Sequence, residues 1–409
     1  MSAPLSREVA QEALDALTRA AGNRTEAGRA LGVHPATMQG RLLRAKQLKL
    51  KPSADALHTN DPVGLRAQIK TLQKKLADSQ ADKLDEAAIK RRIIGLAHDV
   101  ADAETPAWVQ KDRTATGAPG VPILFVSDLH WGEVVHPSQI NGVNRYNLEL
   151  AHRRIDLLAE GAVRLLDILS PARQYPGIVI CLGGDMVSGN IHDELTATNE
   201  INTMPTVVDL YGKLRSFIEG MADIFGRVFV PCVTGNHGRD TTKIWGKDRH
   251  HTSFDWLLYV FLAKHFEHDK RVTFLIPDGP DAHFKVYNTR YLLTHGDQFR
   301  GGDGMIGALG PIMRGDHKKR SRNAQIAMEY DVLLMGHWHQ YIHLTRLIVN
   351  GSLKGYDEYA YSNNFPFEVP QQALWVTHPT NGITYRMPVL VDKERMKGKK
   401  ETSWVSVAA

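Results

Sequence analysis

An α/β body behind a small all-α module is the fold class this sequence predicts, on three observations. From about residue 121, apolar β-branched runs alternate with amphipathic stretches of helical spacing. The runs VPILFV, GIVICL, VFVPCV and DVLLM, with the shorter RYLL, each stop at a polar block rich in Asp, Asn and His. Residues 1–51, in contrast, show helical spacing, and their nine basic against four acidic residues match the whole +5 net charge of the 409-residue chain.

The N-terminal segment comes first. REVAQEALDALTRAA (7–21) places Val9, Leu14 and Leu17 at helical spacing, and Gly22-Asn23 ends that helix. Thr25 can cap a short second helix, and Gly32 supplies a tight turn. Pro35 suits the first position of a third helix running to about Lys46, with Met38, Leu42 and Leu43 inward. The segment resembles the helix-turn-helix of Fis-type and phage regulatory proteins, in which a small residue, here Gly28, stands four before the turn glycine. That resemblance implies a DNA-binding domain over 1–51. Thr37 and Gln39, with Ala36 and Gly40, would face the major groove, and Arg41, Arg44 and Lys46 would lie near phosphate.

Residues 52–120 read as linker and helical connector. Leu65, Ile69, Leu72 and Leu76 form a short heptad seam within 64–99, where a homodimer through a brief coiled coil and packing on the body are both open. The body extends over 121–390, and 391–409 reads as a basic tail. Helices are expected over 148–169, 204–225 and 254–266, and further β-structure with turns after residue 349. No apolar run reaches the length of a membrane span, and MSAPLSREVAQEAL lacks a signal core. Cys181 and Cys232 fall inside expected strands, as reduced buried thiols do. These features predict a cytoplasmic location, in a bacterial or phage-infected bacterial cell, without membrane contact.

The chemistry lies in Ser127-Asp128-Leu129-His130, Gly183-Gly184-Asp185, Gly235-Asn236-His237, Thr294-His295-Gly296-Asp297 and Gly336-His337-Trp338-His339. A strand that stops at a carboxylate or imidazole delivers it to the carboxyl edge of a sheet. Mixed imidazole and oxygen donors suit Mn²⁺, Fe or Zn²⁺ better than Ca²⁺. In this order the blocks resemble the calcineurin-like metallophosphoesterase superfamily, in its repair-nuclease and phage-type branch.

The resemblance implies a four-layer αββα sandwich with two divalent metals, Mn first, with Fe, Zn or Mg as alternatives. By it, Asp128, His130 and His339 hold one ion, Asn236, His295 and His337 the other, and Asp185 bridges them. A hydroxide between the ions would attack phosphorus, and catalytic His237 would stabilise charge or protonate the leaving oxygen. Asp297 is expected to orient His295. Two departures from the family pattern stand out. Ser188 stands where many members have a second Asp. Gly238 stands where an acid usually follows the histidine, so Asp240 is the candidate substitute.

Basic residues flank these blocks. Arg239, Lys243, Lys247 and Arg249 follow the third, and Arg300, Arg314, Lys318, Lys319, Arg320 and Arg322 lie in a Gly-rich stretch expected to be a loop near the metals. Such clusters suit a polyanion, and Arg314, Lys318, Lys319 and Arg320 are the candidate DNA contacts of the body. Trp245, Tyr291 and Trp338 are expected mainly as core, with base stacking as the alternative role. The leading expectation is a DNA-directed phosphodiesterase. A small-molecule phosphatase or cyclic-nucleotide phosphodiesterase, and a DNA-binding regulator with an inactive esterase fold, are the alternatives.

Overall fold

A computed structural model describes residues 5–53, 56, 105–110, 119–301 and 307–392. The chain divides into two units, Met1–Ala88 and Ile89–Ala409. The heptad seam of 64–99 and the tail beyond residue 392 lie outside the described residues.

The first unit contains α1 (Arg7–Arg19), α2 (Arg24–Ala30) and α3 (Pro35–Gln47). Each start is capped locally. Ser6 Oγ accepts from Val9 N–H at 3.3 Å, and His34 Nδ1 accepts from Ala36 N–H at 3.3 Å, with Pro35 at the first position of α3. The cap of α2 is Asn23 rather than Thr25: its Oδ1 accepts from Thr25 N–H at 3.1 Å. The small core is built on Ala13, Ala16, Ala27 and Met38, with Leu17 and Leu42 packed against it. Leu43, expected inward, is 56% exposed. The alanines permit close helix approach, and Gly28 does the same at the turn, where a Cβ would lie 3.0 Å from the Val33 carbonyl. Gly32 adopts φ +65°, a conformation glycine reaches without strain.

In the second unit, α4 (Ala107–Gln110) precedes two sheets. The first sheet has the order β11-β10-β1-β2-β3-β4, built from β1 (Val121–Val126), β2 (Ile178–Leu182), β3 (Val228–Pro231), β4 (Val272–Leu275), β10 (Gln371–His378) and β11 (Gly382–Leu390). Strands β1 to β4 are parallel, and β10 joins β1 antiparallel. The second sheet, β5-β6-β7-β9-β8, contains β5 (Asp281–Val286), β6 (Thr289–Thr294), β7 (Val332–Met335), β8 (Ile342–His343) and β9 (Leu347–Val349). Its central strands β6, β7 and β9 are parallel.

Three apolar layers follow from strand alternation. Ile123, Phe125, Cys181, Phe229, Phe284, Tyr291, Leu334 and Trp375 fill the space between the sheets. The opposite face of the first sheet (Leu124, Val126, Ile180, Leu182) packs on α5 (Leu148–Leu169), α7 (Thr203–Phe225) and α8 (Phe254–His265). The outer face of the second sheet (Leu292, Leu333, Met335) packs on Ile312 of α9 (Leu309–Gln325). The order is helix, sheet, sheet, helix, the layering that the motif order implied. The short helices α6 (Asp193–Thr198) and α10 (Glu358–Ser362) complete the described set.

Two expectations need correction here. The stretch around Arg314–Arg322, read as a loop because of its glycines, is the helix α9. Trp245, read mainly as core, is 53% exposed, whereas Tyr291 is buried and Trp338 partly so.

Candidate metal centre

Strands β1, β2, β3, β6 and β7 all stop one to five residues before an expected ligand. Because each sheet's central strands run parallel, those ends lie on one edge of each sheet. Asp128, His130, Asp185, His337 and His339 adopt φ between +47° and +67°. Non-glycine residues reach that region at a cost, so these side chains are aimed by backbones held out of their ordinary conformation.

At the first cluster, Asp128 Oδ2 accepts from Ser127 Oγ at 2.5 Å and Oδ1 accepts from His337 N–H at 2.9 Å. His339 Nε2 stands 3.3 Å from Asp128 Oδ1 and 3.0 Å from His130 Nε2. Two ring nitrogens facing each other at that distance share a cation or a proton. At the second cluster, His295 Nε2 lies 3.0 Å from Asp185 Oδ2 and 3.1 Å from Asn236 Oδ1. Asp185 Oδ1 accepts from the His237 N–H at 2.7 Å. The donor atoms of Asp128, His130 and His339 fall within 4.8 Å of one another, as do those of Asp185, His295 and His337, and those of His130, Asp185 and His237. Asp185 therefore joins two groups, the position of a bridging carboxylate. All seven expected ligands are brought together.

Two glycines of the motifs have a steric reason. A Cβ on Gly235 would lie 2.1 Å from Asp185 Oδ1, and one on Gly336 would lie 2.2 Å from Asp128 Oδ2. The backbone touches the carboxylates there, and no side chain fits.

The charges suit cations. Burial pushes Asp185 and Asp128 upward, but the neighbouring histidines overrule it and hold both carboxyls below their ordinary range. Burial drives His337 down to about 4 and His237 down to about 3, and it lowers His130 as well. His295 rises to about 10: burial opposes this, and the charge and hydrogen bond of Asp185, then Asp128 and Asp297, prevail. Ionised carboxylates beside the neutral imidazoles of His130 and His337 are the protonation states that metal ligation requires, and His295 has only to give up its proton, so the donor set fits a pair of divalent ions.

The groups that orient the ligands differ from expectation. His295 Nδ1 donates to the Gly183 carbonyl at 2.9 Å, not to Asp297, which instead pairs with Arg249 at 2.9 Å. His237 Nδ1 faces the Ser188 carbonyl at 3.2 Å, in place of the Asp240 carboxylate. Glu133 Oε2 stands 3.3 Å from His130 Nδ1, and Glu133 Oε1 accepts from Lys354 Nζ at 2.7 Å. Buried Asp255, at the start of α8, accepts from Met186 N–H at 3.2 Å and Gly235 N–H at 2.9 Å, clasping two ligand-bearing turns. Gly238 leaves room for it, since a Cβ there would lie 2.8 Å from Asp255 Oδ1. Sequence reading missed Glu133 and Asp255. Only Glu133, three residues after His130, carried a local signal.

Of the candidate DNA contacts, Thr37, Gln39 and Lys46 are exposed on α3, while Arg41 and Arg44 are half-buried. Arg314 and Lys318 are exposed on α9. Lys319 is 6% exposed and its Nζ donates to Asp281 at 2.5 Å and to Thr294 Oγ1 at 3.2 Å. Arg320 donates to Asp316 at 2.8 Å and to the Tyr330 and Arg346 carbonyls at 3.0 Å. Both are structural cations that tie α9 to the second sheet rather than presented contacts.

No family model and no curated protein matches this chain. Among solved structures it is similar to the vacuolar sorting protein Vps29 of Cryptosporidium parvum, at 14% identity over 63% of this chain and 84% of that one, with a TM-score of 0.27. Vps29 of Entamoeba histolytica, complexed with Zn²⁺, matches at 11% identity over 66% and 99%, with a TM-score of 0.26. A predicted phosphoesterase of Streptococcus pneumoniae matches at 11% identity over 62% and 80%, with a TM-score of 0.23. Likeness at these scores supports no inference about activity or ligand. No helix among the described residues is long and apolar enough to cross a membrane.

Proposed function

We propose that this chain is a dinuclear metal-dependent phosphodiesterase acting on DNA. The observation that carries the reading is the convergence of seven donors from five strand ends, with Asp185 grouped both with His130 of the first ligand set and with His295 and His337 of the second. Asp128, His130 and His339 would hold one ion, and Asn236, His295 and His337 the other. Two divalent ions, when bound, supply charge neutralisation at phosphoryl oxygens and a nucleophile at neutral pH. Mn²⁺ is the first candidate.

His237 has a separate part. Its Nδ1–H rests on the Ser188 carbonyl, which leaves Nε2 as the atom that gains and loses a proton. Burial holds the ring neutral, at about 3. An anionic ester beside it favours the protonated ring, whose Nε2 proton then goes to the leaving oxygen.

DNA is the proposed substrate because the first unit gathers the surplus charge and presents Thr37, Gln39 and Lys46 on α3. A second reading, a small-ester phosphodiesterase, gains support from Lys319 and Arg320, since their engagement removes two cations from a polyanion surface.

Hydrolysis of single-stranded and plasmid DNA and of bis(p-nitrophenyl) phosphate, measured with Mn²⁺, separates these readings. Asp185→Ala and His337→Ala are expected to abolish hydrolysis while leaving DNA binding intact. His237→Ala is expected to lower kcat about 10²–10⁴-fold with little change in KM. Turnover at the parent rate in either ligand variant would overturn the site. Aryl ester hydrolysis without DNA cleavage selects the second reading, and DNA binding without any hydrolysis selects a regulator with an inactive esterase fold.

A further inference from the structure

The segment after His237 leaves the centre as a protruding loop that the mechanism does not use. An isolated bridge between Arg239 and Ser253 closes its base, and the Asp240 N–H donates to the Thr252 carbonyl at 2.8 Å. Its two flanking arginines are spent on the ligand-bearing turn. Arg239 donates to the Asn236 carbonyl at 2.6 Å and to the Thr241 carbonyl at 3.0 Å. Arg249 donates to the Gly235 carbonyl at 3.3 Å and pairs with Asp297. Both feet of the loop are thus pinned to the backbone that carries Asn236.

The tip has a different character. Trp245 is 53% exposed and Ile244 is also exposed, with Gly246 beside them. Lys243 and Lys247 stand two residues to either side, both exposed. A large aromatic face left in water costs stability, and core packing does not account for it here. An apolar protein partner covering Trp245 would have to desolvate both lysines. A nucleic-acid strand matches all three groups, since every base offers a π-face and every linkage a negative charge.

We propose that the loop over residues 240–248 is the strand-binding element of this enzyme. Trp245 stacks on an unpaired base of the substrate, and Lys243 and Lys247 contact the flanking phosphates. The assignment rests on the phosphodiesterase reading above and narrows its substrate to nucleic acid with unpaired bases.

The test uses the full chain with Mn²⁺, a labelled single-stranded oligonucleotide and bis(p-nitrophenyl) phosphate. Trp245→Ala is expected to raise KM for the oligonucleotide about tenfold, with kcat and aryl ester hydrolysis unchanged. Trp245→Phe is expected to restore most of the affinity. Lys243→Ala with Lys247→Ala should flatten the salt dependence of that KM. An unchanged oligonucleotide KM in Trp245→Ala overturns the proposal, as does hydrolysis of the aryl ester alone by the parent enzyme. A tryptophan-emission titration with the oligonucleotide, comparing parent and Trp245→Phe, reads stacking without turnover. Quenching confined to the parent supports the loop even if neither ester is hydrolysed, the result that sinks the phosphodiesterase reading. Equal quenching in both overturns the loop.

Discussion

His295 is the residue at which electrostatics and ligation meet. Its imidazolium, held up at about 10 by the buried Asp185 carboxylate, occupies the place a cation would take. A metal arriving at Nε2 must expel that proton. Calorimetric titration with Mn²⁺ at pH 8, in buffers of different ionisation enthalpy, should therefore show about one proton released that is absent in His295→Ala. An equal release in both proteins would remove His295 from the ligand set. Gly235 makes a steric prediction at the same scale. Gly235→Ala drives a methyl into Asp185 Oδ1, so metal affinity should fall at least about tenfold while the sheets persist by circular dichroism. Unchanged affinity would show that the two turns can part.

The connection after β9 shows how one element supports another. Lys354 is buried between Glu133, at 2.7 Å, and Asp357, at 2.5 Å, and Glu133 in turn stands against His130 on the turn after β1. Burial raises both carboxyls, but the Lys354 charge overrules it and holds them below their ordinary range. With folded pKa values below unfolded ones, their stabilisation is present above pH about 4.5 and is lost as pH falls through the folded values. Lys354→Met removes the largest charge opposing burial and leaves only His130 beside Glu133 and His339 near Asp357, so both folded pKa values rise and the stabilisation present above pH about 4.5 shrinks. Urea unfolding from pH 3 to 8 should show the variant about 3–5 kcal/mol weaker near neutrality, with the gap closing in acid. A uniform offset across that range would mean that Lys354 acts by packing alone.

Across the whole molecule, the two units answer to different forces. The first is an alanine-lined three-helix core, whereas the second carries every donor of the metal centre. Ions that bind only the folded second unit should raise its stability by about 2.7 kcal/mol at a hundredfold excess over Kd. Hydrogen exchange with and without Mn²⁺ should show protection gained around β1, β2, β3, β6 and β7 and none in α1 to α3. Protection gained only in the first unit would contradict the placement of the site.

Much of this was legible along the chain because its cues are local. Apolar runs announce strands, a polar block at each end announces what the edge presents, Gly32 marks a turn set by its own backbone, and Pro35 marks a helix start. The seven ligands could be named because five short blocks, each following a strand, stand in an order that resembles the metallophosphoesterase pattern. What only the tertiary structure decided are relations between distant segments. Asp255 clasps turns after β2 and β3, the Gly183 and Ser188 carbonyls orient His295 and His237, and Lys319 and Arg320 are consumed by packing. The exposure of Trp245 belongs with these. A strand's polarity and a turn's φ are set by a few neighbouring residues. Whether a charge is buried, paired or presented depends on segments that only the folded layers bring into contact.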